Sequence, residues 1–322
     1  MSGTAVRELA LRVVGREPGA VARAISLVED RRPHAEGTTV ELLRALAEAS
    51  DPFRAARIGI TGPPGVGKST LVSALAKVAR KAGRTVGVLA VDPSSPRSGG
   101  ALLGDRARIE IDPDDQGLFV RSMASGGELG GLARAASAAI DVLSAAYDVV
   151  LVETTGVGQS ETDVEHVADT VLLVIQPGSG DVLQFLKAGI IEIPDLFAVN
   201  KSDLGGIADR ALGELSAALA VAHTVSESDV PSVLLTSAST DVGIAELMAA
   251  LDAHRAGLVQ SGKLRERRYH ATAAAAFRLF VHRWGEQGVA DVGGKVALLA
   301  RLERRVRDGA TAVEAMSEMR PR

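Results

Sequence analysis

The run Gly62-Pro63-Pro64-Gly65-Val66-Gly67-Lys68-Ser69 has the residue types and spacing of a socket for the phosphates of a nucleoside triphosphate. It follows the apolar Ile58-Gly59-Ile60-Thr61 and precedes Leu71-Val72-Ser73-Ala74-Leu75-Ala76, a helical pattern. Strand, glycine loop and helix in that order are what the chemistry requires. Glycines let the backbone curl until several N–H groups point at one centre, and the helix start adds partial positive charge there. In this reading Gly62 to Thr70 wrap the phosphates, Lys68 reaches the β- and γ-phosphates, and the Ser69 hydroxyl ligates Mg²⁺.

A second constellation speaks to the base. Leu196-Phe197-Ala198-Val199 leads into Asn200-Lys201-Ser202-Asp203, an NKxD pattern at the carboxyl end of a strand. The ionised Asp203 carboxylate offers only acceptors. Guanine presents two adjacent donors, its ring N–H and its exocyclic amine, and each charge-assisted bond is worth about 1.5–3 kcal/mol. Adenine would leave that carboxylate unpaired. Asn200 is placed to brace neighbouring loops and the stem of Lys201 to lie along the purine face. Thr236-Ser237-Ala238 follows a later strand, and Ser237 and Ala238 match the loop whose backbone N–H reads the guanine carbonyl in many GTPases. GTP, rather than ATP, is the expected nucleotide.

These loops need a frame, and the chain has the pattern of one. Between about 55 and 255, apolar runs at 57–61, 85–91, 117–121, 147–152, 170–176, 195–199 and 232–236 alternate with helical stretches. Continuous runs such as Val149-Val150-Leu151-Val152 suit a parallel sheet buried on both faces. The expected fold is α/β: a doubly wound, mostly parallel sheet of the P-loop GTPase kind, with ligand loops at the carboxyl ends of its strands. Helical periodicity over Ala5–Val14, Ala20–Asp30 and Thr39–Ala49, and again over Tyr269–Trp284 and Val289–Arg307, adds extensions at both ends. The expected division is 1–54, 55–257 and 258–322, the last a dimerisation extension. Val289, Val296, Leu299 and Leu302 could serve either a tertiary core or a dimer seam.

Composition narrows the classes. A chain of 322 residues with net charge −4 and pI near 5.9 lacks the basic surface of a nucleic-acid binder. Without cysteine it has no disulfide, thiolate metal site or cysteine nucleophile. No apolar run approaches the roughly 18 residues of a membrane span, and Met1 to Glu8 lacks the basic-then-apolar pattern of a secretory signal. A cytoplasmic enzyme without membrane or nucleic-acid partners is the expectation.

Three acidic features stand near the nucleotide loops. Strand 147–152 ends in Glu153-Thr154-Thr155-Gly156, where most GTPases carry Asp-x-x-Gly. A carboxylate there can hold Mg²⁺ directly or through water, and the Gly156 N–H can sense the γ-phosphate. Asp92 ends the strand Val86 to Val91, and Asp105 lies in the glycine-rich segment Ser98 to Arg106. On spacing alone Asp92 and Asp105 also suit turns and helix caps.

Together the strings VDPSSPRSGGALLGDRAR (91–108), ETTGVGQSETDV (153–164) and QPGSGDVLQFLKAGI (176–190) resemble the MeaB/ArgK family of GTPases over nearly the whole chain. The resemblance implies a homodimeric GTPase that acts as chaperone for an adenosylcobalamin-dependent acyl-CoA mutase, by default methylmalonyl-CoA mutase. Such a protein gates cofactor loading and protects or reactivates the mutase. The resemblance further implies that Ser69, Asp92, Asp105 and Glu153 surround Mg²⁺ and that Lys187 lies in a switch segment tied to the mutase. For hydrolysis Lys68 stabilises charge, and Gln159 or the carboxylates of Asp105 or Glu153 are the candidates to orient the water, with no spacing argument selecting one. The chain departs from the commonest GTPase pattern at Val157, where many GTPases carry a glutamine that orients the attacking water. Slow intrinsic hydrolysis, raised by a partner, is therefore expected. Two other classes are a nickel-inserting metallochaperone, which usually shows clustered cysteine or histidine ligands, and a kinase acting on an amino-acid transport component, which would prefer ATP. The six histidines here, His34, His166, His223, His254, His270 and His282, are scattered.

Overall fold

Among the described residues, the stretches rich in Val, Leu, Ile and Ala form seven strands, and the longer periodic stretches form helices around them. The computed structural model describes residues 1–30, 32, 35–92, 115–124, 135–154, 164–178, 193–224 and 230–321. The strands are β1 (Ala56–Thr61), β2 (Val86–Asp92), β3 (Leu118–Ala124), β4 (Val149–Glu153), β5 (Thr170–Ile175), β6 (Leu196–Val199) and β7 (Ser232–Leu235). They make one sheet in the order β3-β2-β4-β1-β5-β6-β7, and each neighbouring pair is parallel. The expected α/β class and parallel sheet are what the chain adopts.

Side chains alternate between the two faces of the sheet, and helices bury both. Ile58, Ile60, Leu172, Val174, Leu196 and Ala198 pack with Leu71, Leu75 and Leu251 on one side. Leu173, Ile175, Phe197 and Val199 pack with Ala211, Leu215 and Leu219 on the other. Fully burying one such leucine, isoleucine or phenylalanine contributes about 1.5–3 kcal/mol, so a strand covered on both faces takes a polar residue only where it finds a partner, as Glu153 and Thr170 do at the strand ends. That is why β4, β5 and β6 are buried along their whole length and why their sequences run apolar without alternation.

Three aspartates fix the starting edge of the sheet. Asp148, Asp169 and Asp195 each stand just before a strand (β4, β5 and β6), and each carboxylate accepts a backbone N–H near the start of a neighbouring strand. Asp148 Oδ2 accepts from Thr85 N at 2.9 Å and Thr85 Oγ1 at 2.7 Å. Asp169 Oδ2 accepts from Arg57 N at 3.0 Å, and Asp195 Oδ2 from Val171 N at 2.9 Å. His254 joins the last, its Nε2 3.3 Å from Asp195 Oδ1 and its Nδ1 2.8 Å from Thr170 Oγ1. At one end of the sheet Arg80 and Asp115 form a multiply bonded pair of 2.7–3.1 Å, and Asp115 also accepts from Gly117 N at 2.9 Å. A Cβ at Gly117 would lie 2.1 Å from the Arg80 guanidinium carbon, so glycine there lets the arginine reach its partner.

The chain divides into two compact units: Met1–Ala55, Arg134–Tyr147 and Val259–Arg322 form one, and Ala56–Ala133 with Asp148–Leu258 form the other. The first is helical. Its helices are α1 (Gly3–Val14), α2 (Pro18–Val28) and α3 (Ala35–Ala49), the internal helix Ala136–Ala146, and Lys263–Asp291, Gly294–Arg307 and Ala312–Ser317 near the C-terminus. The internal helix belongs to this unit although its sequence lies between β3 and β4. Arg268, 7% exposed, donates to the carbonyls of Pro52 and Ala55 and so ties the residues before β1 to the long C-terminal helix. The long helix bends at Gly285, whose φ is 66°, close to the break that the sequence places after Trp284. Of the four residues left open between core and seam, Val289 and Leu302 are buried in the core of this unit, whereas Val296 is 84% exposed. Among the described residues no helix is long and apolar enough to cross a membrane.

Candidate functional site

The sheet-containing unit gathers the chemistry-bearing residues at the carboxyl ends of its central strands. β1 ends at Thr61 and the chain turns into the phosphate loop at Gly62, with φ of 141°. A Cβ there would lie 2.1 Å from the Val174 carbonyl oxygen, so only glycine passes so close to β5. Gly67 precedes the helix Lys68–Lys81 in the left-handed conformation, and a Cβ on it would lie 2.6 Å from Asn200 Nδ2. The loop and the NKxD segment are therefore packed against each other with no room for a side chain between them.

Lys68 opens the helix and is 7% exposed. Its Nζ donates to the carbonyls of Gly62 at 2.7 Å and Pro63 at 2.9 Å, so the ammonium is folded over the loop it belongs to. Ser69, the next residue, donates from Oγ to Glu153 Oε1 at 2.6 Å. Glu153 is the last residue of β4, 4% exposed, and opposite Ile60 of β1 and Ala90 of β2 in register. Two further bonds hold β1 and β4 together at this end: Thr154 N to Ile60 O at 3.1 Å, and Thr154 Oγ1 to Thr61 Oγ1 at 3.0 Å. A hydroxyl and a carboxylate held in contact at a helix start form an all-oxygen donor set, which suits a hard divalent cation such as Mg²⁺. Thr70 is exposed on the same helix.

The residues of the NKxD segment converge in the same way. Asn200, 2% exposed, donates from Nδ2 to Val66 O at 2.8 Å. Its Oδ1 accepts from Ala238 N at 3.1 Å and from Thr236 Oγ1 at 3.4 Å. One side chain thus braces the phosphate loop, β6 and the segment after β7. Lys201 is a non-glycine residue with φ of 62°, a backbone state that non-glycine residues rarely occupy. Its Nζ donates to Gly65 O at 2.8 Å and Gln176 Oε1 at 2.5 Å. Asp203, exposed at the start of a short 3₁₀ turn, accepts from Ser237 Oγ at 2.7 Å. Ser237 N donates to Val242 O at 2.9 Å.

Of the residues singled out from sequence, the site brings together Gly62 to Ser69, Glu153, Asn200, Lys201, Asp203, Ser237 and Ala238. Asp105, Gly156, Gln159 and Lys187, and the departure at Val157, lie outside the described residues, as does the side chain of Asp92, whose backbone ends β2. Sequence reasoning did not find Thr61, Thr154, Thr236 or Gln176. The three threonines stand beside named motif residues, but only the side-by-side order of the strands brings the Thr61 and Thr154 hydroxyls together and Thr236 to Asn200. Gln176 is 25 residues from Lys201, and no spacing rule links the two. Among the described residues no group of three or more histidine, aspartate or glutamate side chains could hold a metal ion.

Comparison with known proteins agrees with this arrangement. The family described as Methylmalonyl Co-A mutase-associated GTPase MeaB matches residues 21–290. GTPase ArgK of Escherichia coli strain K12 is 37% identical over 253 residues, which cover 78% of this chain and 76% of that protein. The mouse protein named methylmalonic aciduria type A homolog, mitochondrial, is 40% identical over 215 residues, covering 66% of this chain and 52% of its own length. A solved structure titled as the LAO/AO transport system kinase superposes with a TM-score of 0.70 at 27% identity, covering 99% of this chain and 98% of that one. With a family match across most of its length, a phosphate loop and a guanine-type NKxD loop, the chain belongs to the MeaB family of GTPases.

Proposed function

We propose that this GTPase is a chaperone of an adenosylcobalamin-dependent acyl-CoA mutase, with methylmalonyl-CoA mutase as the first candidate, and that it uses GTP to gate cofactor loading and to protect or reactivate the mutase. The observation that carries the partner is the description of its own family as methylmalonyl-CoA mutase-associated. In this reading residues 55–257 hold the nucleotide, 1–54 form a helical extension, and 258–322 form the dimerisation extension.

The residues divide the work as follows. GTP enters with its phosphates over Gly62 to Thr70. Lys68 leaves the Gly62 and Pro63 carbonyls, which it now bonds, for the β- and γ-phosphate oxygens. Ser69 and Glu153, already in contact, hold Mg²⁺ with help from Asp92 and Asp105. The ion, when bound, neutralises charge on the phosphate oxygens. Asp203 accepts the two guanine donors, Lys201 lies along the purine, and the Ala238 N–H turns from Asn200 to the guanine carbonyl. Water then attacks the γ-phosphorus in line, and Lys68 and the loop N–H groups stabilise the developing charge. With Val157 at the position of the usual glutamine, isolated turnover is slow. Lys187 and the switch strings carry the response to the mutase.

The test is steady-state hydrolysis of GTP, with ATP as control, in the presence and absence of the mutase from the same organism. Slow, GTP-selective turnover that rises with the mutase supports the proposal. Turnover indifferent to the mutase leaves the GTPase and removes the assigned partner; ATP turnover with a phosphorylated acceptor favours a kinase.

A further inference from the structure

Lys201 is held in an uncommon way. Its backbone is left-handed, and the ammonium is fixed by two acceptors from different elements. One is the carbonyl of Gly65 at the tip of the phosphate loop, 2.8 Å away. The other is the side-chain oxygen of Gln176, 2.5 Å away, on the first residue after β5. A backbone carbonyl belongs to any residue at position 65, whereas the second acceptor exists only because residue 176 is a glutamine. Both Gln176 and Lys201 are half-buried, so water competes for the ammonium less than at an open surface. A long lysine side chain is rich in rotamers, and tethering it before the ligand arrives removes part of the entropy cost of fixing it from binding.

From this geometry we infer that Gln176 is a positioning residue for the guanine pocket: by accepting from Lys201 it holds the lysine stem in the line it takes along the purine face. The inference rests on the reading that guanine lies between Lys201 and Asp203. Gln176 itself touches no nucleotide atom in this account; its effect passes through Lys201. It follows that Gln176 matters only while Lys201 is present, and that a side chain offering any oxygen acceptor can replace it.

A fluorescent GDP analogue, titrated and then chased with unlabelled GDP, reads both affinity and off-rate. Q176L keeps the approximate size and removes the acceptor. It is expected to weaken binding about fivefold to tenfold, the loss of one hydrogen bond to a charged group partly exposed to water, mainly through faster release. Q176E restores an acceptor and returns affinity to within about twofold of the parent. In a K201M background, Q176L should add nothing. Tight binding by Q176L, a full additional loss in K201M, or failure of Q176E to recover each overturns the inference and leaves Gln176 an ordinary packing residue. The parent and D203N are titrated beside them. If the parent does not bind GDP, or D203N binds it equally well, the guanine pocket itself is misplaced and the inference falls with it. If both behave as expected and Q176L is neutral, the pocket stands and only the role of Gln176 fails.

Discussion

Replacing Asn200 by alanine should cost both stability and nucleotide affinity, because this single buried side chain joins three segments. Two of its bonds have good geometry: Nδ2 to Val66 O at 2.8 Å and Oδ1 from Ala238 N at 3.1 Å. Each contributes about 1 kcal/mol net. Val66 is 0% exposed, so its carbonyl, once abandoned, adds a desolvation penalty of about 1 kcal/mol. The contact from Thr236 at 3.4 Å is long enough to leave out. The total is about 3 kcal/mol, which with a urea slope of about 3 kcal/mol per molar for a unit of this size moves the midpoint down by about 1 M. Urea unfolding followed by circular dichroism measures this, and a GDP titration on the same sample measures the binding loss. N200D sharpens the test. One carboxylate oxygen still accepts from Ala238, but the other faces the Val66 carbonyl where a donor stood. Burial beside that carbonyl raises the carboxyl pKa above its unfolded value, so N200D is most destabilised at high pH and recovers as the pH falls and the acid protonates. An N200A midpoint within about 0.2 M of the parent, with unchanged GDP affinity, would refute the bracing argument.

D203N should weaken GTP about 10²–10³-fold, since it loses a charge-assisted acceptor and sets a donor against a donor. The same variant should improve xanthosine triphosphate, which competition titration reads directly. K68A should lower the GTP hydrolysis rate at least about 10²-fold, the usual result of removing a group that stabilises developing charge; single-turnover kinetics separates this from weaker binding. Asp115 is held below its usual 3.8 chiefly by hydrogen bonds from Arg80, with a further one from the Gly117 N–H and against a smaller effect of burial. A carboxylate lowered on folding stabilises fully above its unfolded value and loses that contribution as pH falls through the folded one. The stability difference between pH 6 and pH 3, measured by urea, should therefore be smaller in D115N than in the parent.

Much of this molecule could be read from its residues. The phosphate loop and the NKxD loop carry their own geometry, because Gly62, Gly67, Lys68, Asn200 and Asp203 are each needed for a local backbone shape or a fixed donor set. The strands were legible because a sheet covered on both faces demands unbroken apolar runs, and Val171 to Ile175 or Leu196 to Val199 supply them. What stayed hidden depends on which strands become neighbours. Nothing near Asp148 says that its carboxylate will cap Thr85, or near Thr61 that its hydroxyl will meet Thr154, until β4 is known to lie between β2 and β1. The same holds for Gln176 and Lys201, which meet because β5 and β6 are adjacent. The position of the helix Ala136–Ala146 was hidden for a similar reason: its alanine-rich pattern records that it is buried, not by what.

The strand order also bears on how the chain is made. β1, the middle strand of the sheet, pairs with β4 and β5 and not with β2, the next strand in sequence. As the polypeptide leaves the ribosome, Ala56–Thr61 emerges about ninety residues before Val149–Glu153, a wait of roughly 5–20 s at ordinary rates of synthesis. Through that interval an apolar strand presents two unsatisfied edges, the condition in which nascent chains associate wrongly. The helix Lys68–Lys81 follows at once and can shield one face, through Leu71 and Leu75 against Ile58 and Ile60, but it leaves both edges open. Slowing translation between residues 62 and 148 should therefore reduce the yield of folded protein, and holding the nascent chain with a general chaperone over that window should restore it.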